Sequence, residues 1–217
     1  MILGIDISAY QSKIDWPMVG SAGCEFVIVK MTDGNHGVNR LAEDQIKGAL
    51  DQGMLVMLYH YAQPNGPNWI EDAIAERELC DSRNPRGLFT FLDVERDKPL
   101  SLVEVTQWQA WSHAFRRAGK PIGFYSGDYF TRALRLPQSW EETVLWMARY
   151  PGQFLPDCSY ATWPDGPQPW ARVDVWQFGG GGPGGNNAVW PGVTGPCDVN
   201  AFAGSRAELE ELLANAS

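Results

Sequence analysis

Residues 54–62 read Met-Leu-Val-Met-Leu-Tyr-His-Tyr-Ala, a nearly unbroken apolar run of strand length. A strand with one face in water alternates apolar and polar residues; a continuous run is covered on both faces, as in a parallel sheet flanked by helices. Parallel strands need long crossovers, and the chain supplies them. Strand-like segments at 2–8, 25–32, 54–62, 88–95 and 121–126 are each followed by a helical stretch. Asp15-Trp16-Pro17 reads as a helix entry with proline in the first turn. Segment 41–52 spaces Ile46 and Leu50 by four and stops at Gly53, and 69–81 places Ile70, Ala73, Ile74 and Leu79 on one side. Helices are also predicted at 102–119 and 128–134, and loops at 32–40 and 64–67. The rhythm then changes. Segments 143–150, 173–178 and 198–202 read as strands, joined by stretches rich in Gly, Pro and Trp, before a closing helix at 205–216 with Leu209, Leu212 and Leu213 as its apolar face.

These elements predict an α/β fold: an irregular TIM-type β/α barrel with about five βα units followed by three strands, in a single domain of residues 1–217. An open doubly wound sheet is the alternative. No phosphate fingerprint follows the first strand, and the Gly-rich run at 179–185 lacks the Lys-Ser/Thr of a phosphate loop, so it reads as a surface loop.

Charge narrows the partners. With 26 acidic against 17 basic residues the net charge is −9, which opposes binding to a nucleic-acid backbone. No apolar run approaches a membrane span, and no secretory signal is visible at the start. The four cysteines contain no Cys-x-x-Cys pair and histidine is scarce, so no metal and no cofactor are expected. Cys24 and Cys80 read as reduced core residues, while a Cys158–Cys197 bridge is left open. Ten tryptophans suit both core packing and flat platforms for sugar rings.

The segment 88–95, Leu-Phe-Thr-Phe-Leu-Asp-Val-Glu, ends in two acids one residue apart. Residues i and i+2 of a strand share a face, so Asp93 and Glu95 are predicted to stand side by side, with Cβ atoms about 6–7 Å apart. Burial and mutual repulsion raise one of the two pKa values. A protonated carboxyl beside an ionised one is what acid-catalysed glycoside cleavage needs. Alone, the pair is a weak signal, and two solvated acids in a loop just past the strand are its more ordinary reading. Its neighbours at the carboxyl ends of the other predicted strands extend it: Asp6, His60 and Tyr61, Tyr125 and Ser126, Trp146 and Tyr150, Trp176 and Gln177, with Asp198 and Asn200 in the last strand. His60 reads as a bonded core residue facing away from the groove if Tyr61 faces it.

These stretches resemble glycoside hydrolase family 25, the N-acetylmuramidase lysozymes common among phage endolysins. The resemblance runs in order through Gly4-Ile5-Asp6-Ile7-Ser8 with Gln11, Ile14-Asp15-Trp16, Phe26-Val27-Ile28-Val29-Lys30 with Thr32, and Tyr59-His60-Tyr61. It continues through Leu92-Asp93-Val94-Glu95, Tyr125-Ser126, residues 145–150, Trp176-Gln177-Phe178 and residues 198–202. It implies hydrolysis of the β-1,4 bond between N-acetylmuramic acid and N-acetylglucosamine in bacterial peptidoglycan. It implies Glu95 as general acid, Asp93 as its partner carboxylate, and Asp6 and Asp198 as flanking site acids. Tyr61, Tyr125, Trp146, Trp176 and Gln177 are candidates for the sugar groove, Trp146 fitting barrel filling equally well. Asp93 either attacks the anomeric carbon or orients the substrate's own 2-acetamido group for that attack; the second is favoured.

The chain departs from the family pattern at Cys197, just before Asp198, and in the long Trp- and Pro-rich stretch 151–172, read as shaping a product-side subsite. No wall-binding module is seen. The expectation is a monomeric phage endolysin, made in the host cytoplasm and acting on the cell wall. A bacterial autolysin, a noncatalytic carbohydrate-binding barrel and a divalent-metal hydrolase are the alternatives. Joint retention of Asp93 and Glu95 argues against the second, and full activity in chelator would remove the third.

Overall fold

A computed structural model describes residues 1–64, 68–96, 99–158, 162–182 and 184–215. Parts of the stretches read at 64–67, 151–172, 179–185 and 205–216 lie outside these residues.

Eight strands close a barrel. In chain order they are β1 (Ile2–Ile7), β2 (Cys24–Asp33), β4 (Leu55–Tyr61), β5 (Thr90–Asp93), β6 (Gly123–Gly127), β7 (Leu145–Ala148), β8 (Val175–Gly179) and β9 (Asp198–Phe202), with β3 (Gly37–Val38) a short addition outside the ring. Around the ring the order is β1-β9-β8-β7-β6-β5-β4-β2, and β2 pairs β1 to close it. All ring pairings are parallel except those of β9, which runs antiparallel to both β1 and β8.

The helices are α1 (Trp16–Ser21), α2 (Ala42–Asp51), α3 (Trp69–Ser82), α4 (Leu102–Arg117), α5 (Asp128–Leu134) and α6 (Arg206–Asn215). Their starts are chemically marked. Asp15 and Asn68 cap α1 and α3 by accepting from backbone N–H groups, and Ser101 with Glu104 forms a reciprocal capping box on α4.

Strand alternation divides the interior into two cores. Residues pointing into the barrel form one cluster around Phe26, Ile28, Met57, Phe91, Tyr125, Trp146 and Val175. Residues pointing outward, among them Val27, Val29, Leu58, Leu92, Phe124 and Met147, form a larger cluster beneath the helices. This double coverage is what the unbroken apolar run of β4 records. The narrow barrel needs glycine where aromatic rings cross it: a Cβ on Gly4 would lie 2.4 Å from the Phe26 ring, and one on Gly123 2.4 Å from the Phe91 ring.

The structure corrects several local expectations. The predicted loop 32–40 contains β3, which folds back antiparallel on β2. The strand read at 88–95 is only Thr90–Asp93, leaving Glu95 just past its end. The buried face of α3 is not the apolar one: Ile70 and Ile74 are exposed, whereas Asp72, Ala73, Glu76, Arg77 and Cys80 are buried. A polar network accounts for this. Glu76 bonds His60 Nε2 at 2.7 Å, His60 Nδ1 meets Thr32 Oγ1 at 2.8 Å, and Arg77 donates to Asp81 and to the Lys120 carbonyl. Apolar periodicity cannot register a face buried through paired polar groups. All four cysteines are free and buried, so Cys158 and Cys197 do not pair.

Candidate active site

The lower barrel is filled by aromatic and aliphatic side chains; its upper layer is polar. Asp6 on β1, Lys30 on β2, Tyr59 and Tyr61 on β4, Asp93 on β5 and Asp198 on β9 line one cleft of about 740 Å³ with Glu95. Asp6, Asp93 and Glu95 arrive at or just beyond the carboxyl ends of parallel strands, where β/α barrels place reacting groups. Asp198 arrives differently, as the first residue of a strand running the other way.

Asp6 and Asp198 are register partners across the β1–β9 pair. Like charges directly opposite each other repel. Burial foremost, then Asp198, raises the Asp6 pKa well above the carboxylate range; burial also raises that of Asp198, while the Gly181 N–H donating at 2.6 Å opposes the rise. The pair is thus suited to holding a shared proton.

Asp6 is fixed by donors from below. Its Oδ2 accepts from Gln177 Nε2 at 2.8 Å and from Asn200 Nδ2 at 2.9 Å. A carboxylate can only accept, so both amides must turn their NH₂ toward it. Their carbonyls then face outward and are used: Tyr125 and Tyr150 hydroxyls donate to Gln177 Oε1 at 2.9 and 2.7 Å, and the Trp146 indole donates to Asn200 Oδ1 at 2.8 Å. Five side chains from four strands and one loop thereby hold one carboxylate.

Asp93 is 4% exposed, and its buried Oδ1 has no hydrogen-bond partner among the described residues. Burial and the neighbouring Glu95 raise its pKa, Lys30 opposing them. A buried acceptor without a partner, on a carboxyl that lines a cleft, calls for an explanation, and a ligand donor is one. Glu95, partly exposed, reaches the same cleft and also lines a second cavity of about 570 Å³ that includes Tyr61, Trp69, Gln107 and Trp108.

Of the residues singled out in the sequence, Asp6, Asp93, Glu95, Asp198 and Tyr61 converge on the cleft. Tyr125 and Gln177 lie beneath it as supports for Asp6. Trp146 is buried inside the barrel, its ring centroid 4.1 Å from that of Tyr125. Trp176 is not brought to the groove: it points outward, donates to the Arg149 carbonyl and packs edge-on against Trp163. Sequence reasoning assigned no role to Lys30, Asp33, Tyr59, Tyr10 or Gln11, which also line the cleft. Lys30 had a signal, since it interrupts the inward-facing alternation Phe26, Ile28 with a charge.

Comparison with known proteins agrees with this geometry. The family model described as Glycosyl hydrolases family 25 matches residues 5–183. The chain is 28% identical to Lysozyme M1 of Streptomyces globisporus, over 99% of this chain and 72% of that protein. It is 25% identical to an N,O-diacetylmuramidase of Arthroderma benhamiae, over 82% of this chain and 80% of that one. Its fold superposes on a bacterial lysozyme from Streptomyces coelicolor with a TM-score of 0.79 at 22% identity, covering 100% of this chain and 98% of the other.

Proposed function

The chain belongs to glycosyl hydrolase family 25 and is a glycoside hydrolase, and on that premise we propose that it is a muramidase, cutting peptidoglycan between N-acetylmuramic acid and N-acetylglucosamine. The observation that carries the reading is the convergence of Asp93 and Glu95 on one barrel-mouth cleft, with Asp6 and Asp198 opposite. Lysozyme and muramidase relatives over most of the chain support the substrate class.

In this reading Glu95 is the general acid. Its partial exposure lets it reach the bridging oxygen and later exchange its proton with water. Asp93 is too enclosed to meet bulk solvent, and its carboxylate, which lines the cleft, is the acceptor for the 2-acetamido N–H of the muramic sugar. Holding that N–H turns the acetamido oxygen toward the anomeric carbon. The carbon–oxygen bond to the leaving sugar breaks as Glu95 protonates that oxygen, and the acetamido oxygen closes an oxazolinium ring stabilised by ionised Asp93. Water, deprotonated by Glu95, then opens the ring with overall retention. The leaving sugar is placed on the far side of Glu95, in the cavity walled by Trp69, Gln107 and Trp108. Action on a bacterial wall as a phage endolysin extends the proposal.

The test pairs wild type with Glu95→Gln on purified peptidoglycan, with new reducing ends identified by mass spectrometry. Muramic acid ends from wild type, lost in the variant, are expected; glucosamine ends would mean a different bond. Glycan strands de-N-acetylated at the muramic sugar should be inert, and brisk cleavage of them would replace substrate assistance with direct attack by Asp93.

A further inference from the structure

Tyr10 is 90% exposed, yet it stands on the wall of the main cleft. A lone exposed aromatic or aliphatic side chain is ordinary on a protein surface. Leu102 and Val103 of α4 are examples, and they line neither of the two cavities that meet at Glu95. What sets Tyr10 apart is the backbone that carries it. Gln45, buried on α2 and itself held by Asn39 at 2.9 Å, donates to the Ser8 carbonyl at 2.8 Å and to the Gln11 carbonyl at 3.2 Å, one on each side of Tyr10. The Tyr10 N–H donates to Ser8 Oγ at 3.3 Å. The Gln11 side chain accepts from the Ser8 N–H at 2.9 Å and donates to the Pro196 carbonyl at 2.9 Å. The turn is thus tied to a helix behind it and to the approach to β9 beside it, while its aromatic ring is left bare. Ordering a backbone costs entropy, and here that cost is met on folding, so a ligand meets the ring on a support already fixed.

We propose that Tyr10 is a sugar platform: its ring takes the face of the N-acetylglucosamine that precedes the muramic sugar in the glycan, across the cleft from the leaving group. This deepens the muramidase reading and rests on it for the identity of the sugars. The strand order decides the side. Tyr10 follows β1, and Thr194 and Pro196, which line the cleft with it, precede β9. β9 lies four strands from β5 in either direction, through β8, β7 and β6 or through β1, β2 and β4. Tyr10 and Pro196 therefore stand across the barrel mouth from Asp93 and Glu95. Tyr61 and Glu95 are shared with the cavity of Trp69 and Trp108, whereas Tyr10, Thr194 and Pro196 line the main cleft and not that cavity. A glycan with its leaving sugar in that cavity and its muramic sugar at Asp93 continues toward Tyr10. Its next residue there is N-acetylglucosamine, which carries no lactyl ether and offers a face of axial C–H groups to a flat ring. Tyrosine suits that place, since its apolar body can cover the sugar while its hydroxyl stays in water.

The experiment compares kcat/KM on two substrates for wild type, Tyr10→Ala and Tyr10→Trp, with thermal unfolding of each. One substrate is the peptidoglycan tetrasaccharide that begins with N-acetylglucosamine and ends with N-acetylmuramic acid. The other is the trisaccharide left when that first sugar is removed. Both contain the same single bond to be cut. Wild type is expected to prefer the tetrasaccharide by at least about tenfold, the scale of covering one face of an aromatic ring. Tyr10→Ala should lose most of that preference and Tyr10→Trp should keep it. Thermal unfolding should not move, because the side chain is exposed. A preference unchanged in Tyr10→Ala, or absent from a wild type that cuts both substrates, overturns the proposal. Binding is read separately, by calorimetric titration of the tetrasaccharide into Glu95→Gln and into Glu95→Gln/Tyr10→Ala. The double variant should bind about tenfold more weakly; equal affinity, or no binding by either, overturns the platform. A wild type that releases no muramic acid ends would sink the muramidase reading, and the titration would still judge the platform by itself.

Discussion

The buried pair His60–Glu76 gives the fold a calculable pH response. The two are 2.7 Å apart and neither side chain is exposed. Burial pushes Glu76 up from 4.5 to about 8 and His60 down from 6.5 to about 3. The folded pair therefore holds one proton from about pH 3 to about pH 8, whichever partner carries it. The unfolded chain holds two below 4.5, one from 4.5 to 6.5 and none above. Between 4.5 and 6.5 the counts match, and this pair contributes no pH dependence. Above 6.5 the folded state binds the extra proton, so stability falls as pH rises through the Glu76 value. That window is about 1.5 pH units wide, which at about 1.4 kcal/mol per unit amounts to a loss of about 2 kcal/mol by pH 8. Below 4.5 the unfolded state binds the extra proton, and a similar loss of about 2 kcal/mol accrues down to pH 3.

The perturbation that isolates the pair is Glu76→Gln, which keeps a hydrogen-bond donor for His60 Nε2 and cannot titrate. Urea unfolding free energies would be measured for both proteins in steps from pH 5 to pH 9. The acids of the barrel-mouth cleft titrate in both, so the difference between the two curves belongs to Glu76. It should change by about 2 kcal/mol between pH 6.5 and 8, the wild type losing stability and the variant holding it. Parallel curves above pH 6.5 would refute the reasoning, because they would mean that Glu76 is already ionised in the folded state.

Gly4→Ala should lower unfolding free energy by about 1–3 kcal/mol, since the added methyl would overlap the Phe26 ring and carbonyl oxygen inside the barrel; an unchanged urea midpoint would show that the barrel relaxes around it. Asn200→Leu removes a donor from Asp6 and strands the Trp146 indole N–H. It should cost about 2 kcal/mol or more by urea unfolding and raise the Asp6 pKa further, seen as a higher midpoint in carboxyl NMR.

Much of this architecture was legible because it rests on local rules. The apolar run of β4 announced a strand covered on both faces, and the Asp-x-Glu of 93–95 placed two acids together even though the strand stops at Asp93. What escaped depends on partners distant in sequence. The buried face of α3 is polar because His60 from β4 and the Lys120 carbonyl meet it, and no window on residues 69–82 contains either. Trp176 and Gln177 are neighbours, so only one can face the barrel; Gln177 does, because Asp6, 171 residues away, needs its amide. Lys30 reads as one charge in an apolar strand until Asp33 and Tyr61 show where its ammonium is held.

The antiparallel course of β9 has a consequence for how the enzyme comes into being. This strand is inserted between β1 and β8, so the ring cannot close until it docks, and it alone supplies Asp198 and Asn200. The acid Asp6 is therefore emitted early in the chain but left without its opposing acid and one of its two amide donors until nearly two hundred residues have followed it. Assembly of the acid cleft and completion of the barrel become one event, so a chain that has not finished folding carries Asp6, Asp93 and Glu95 without the arrangement that gathers them with Asp198.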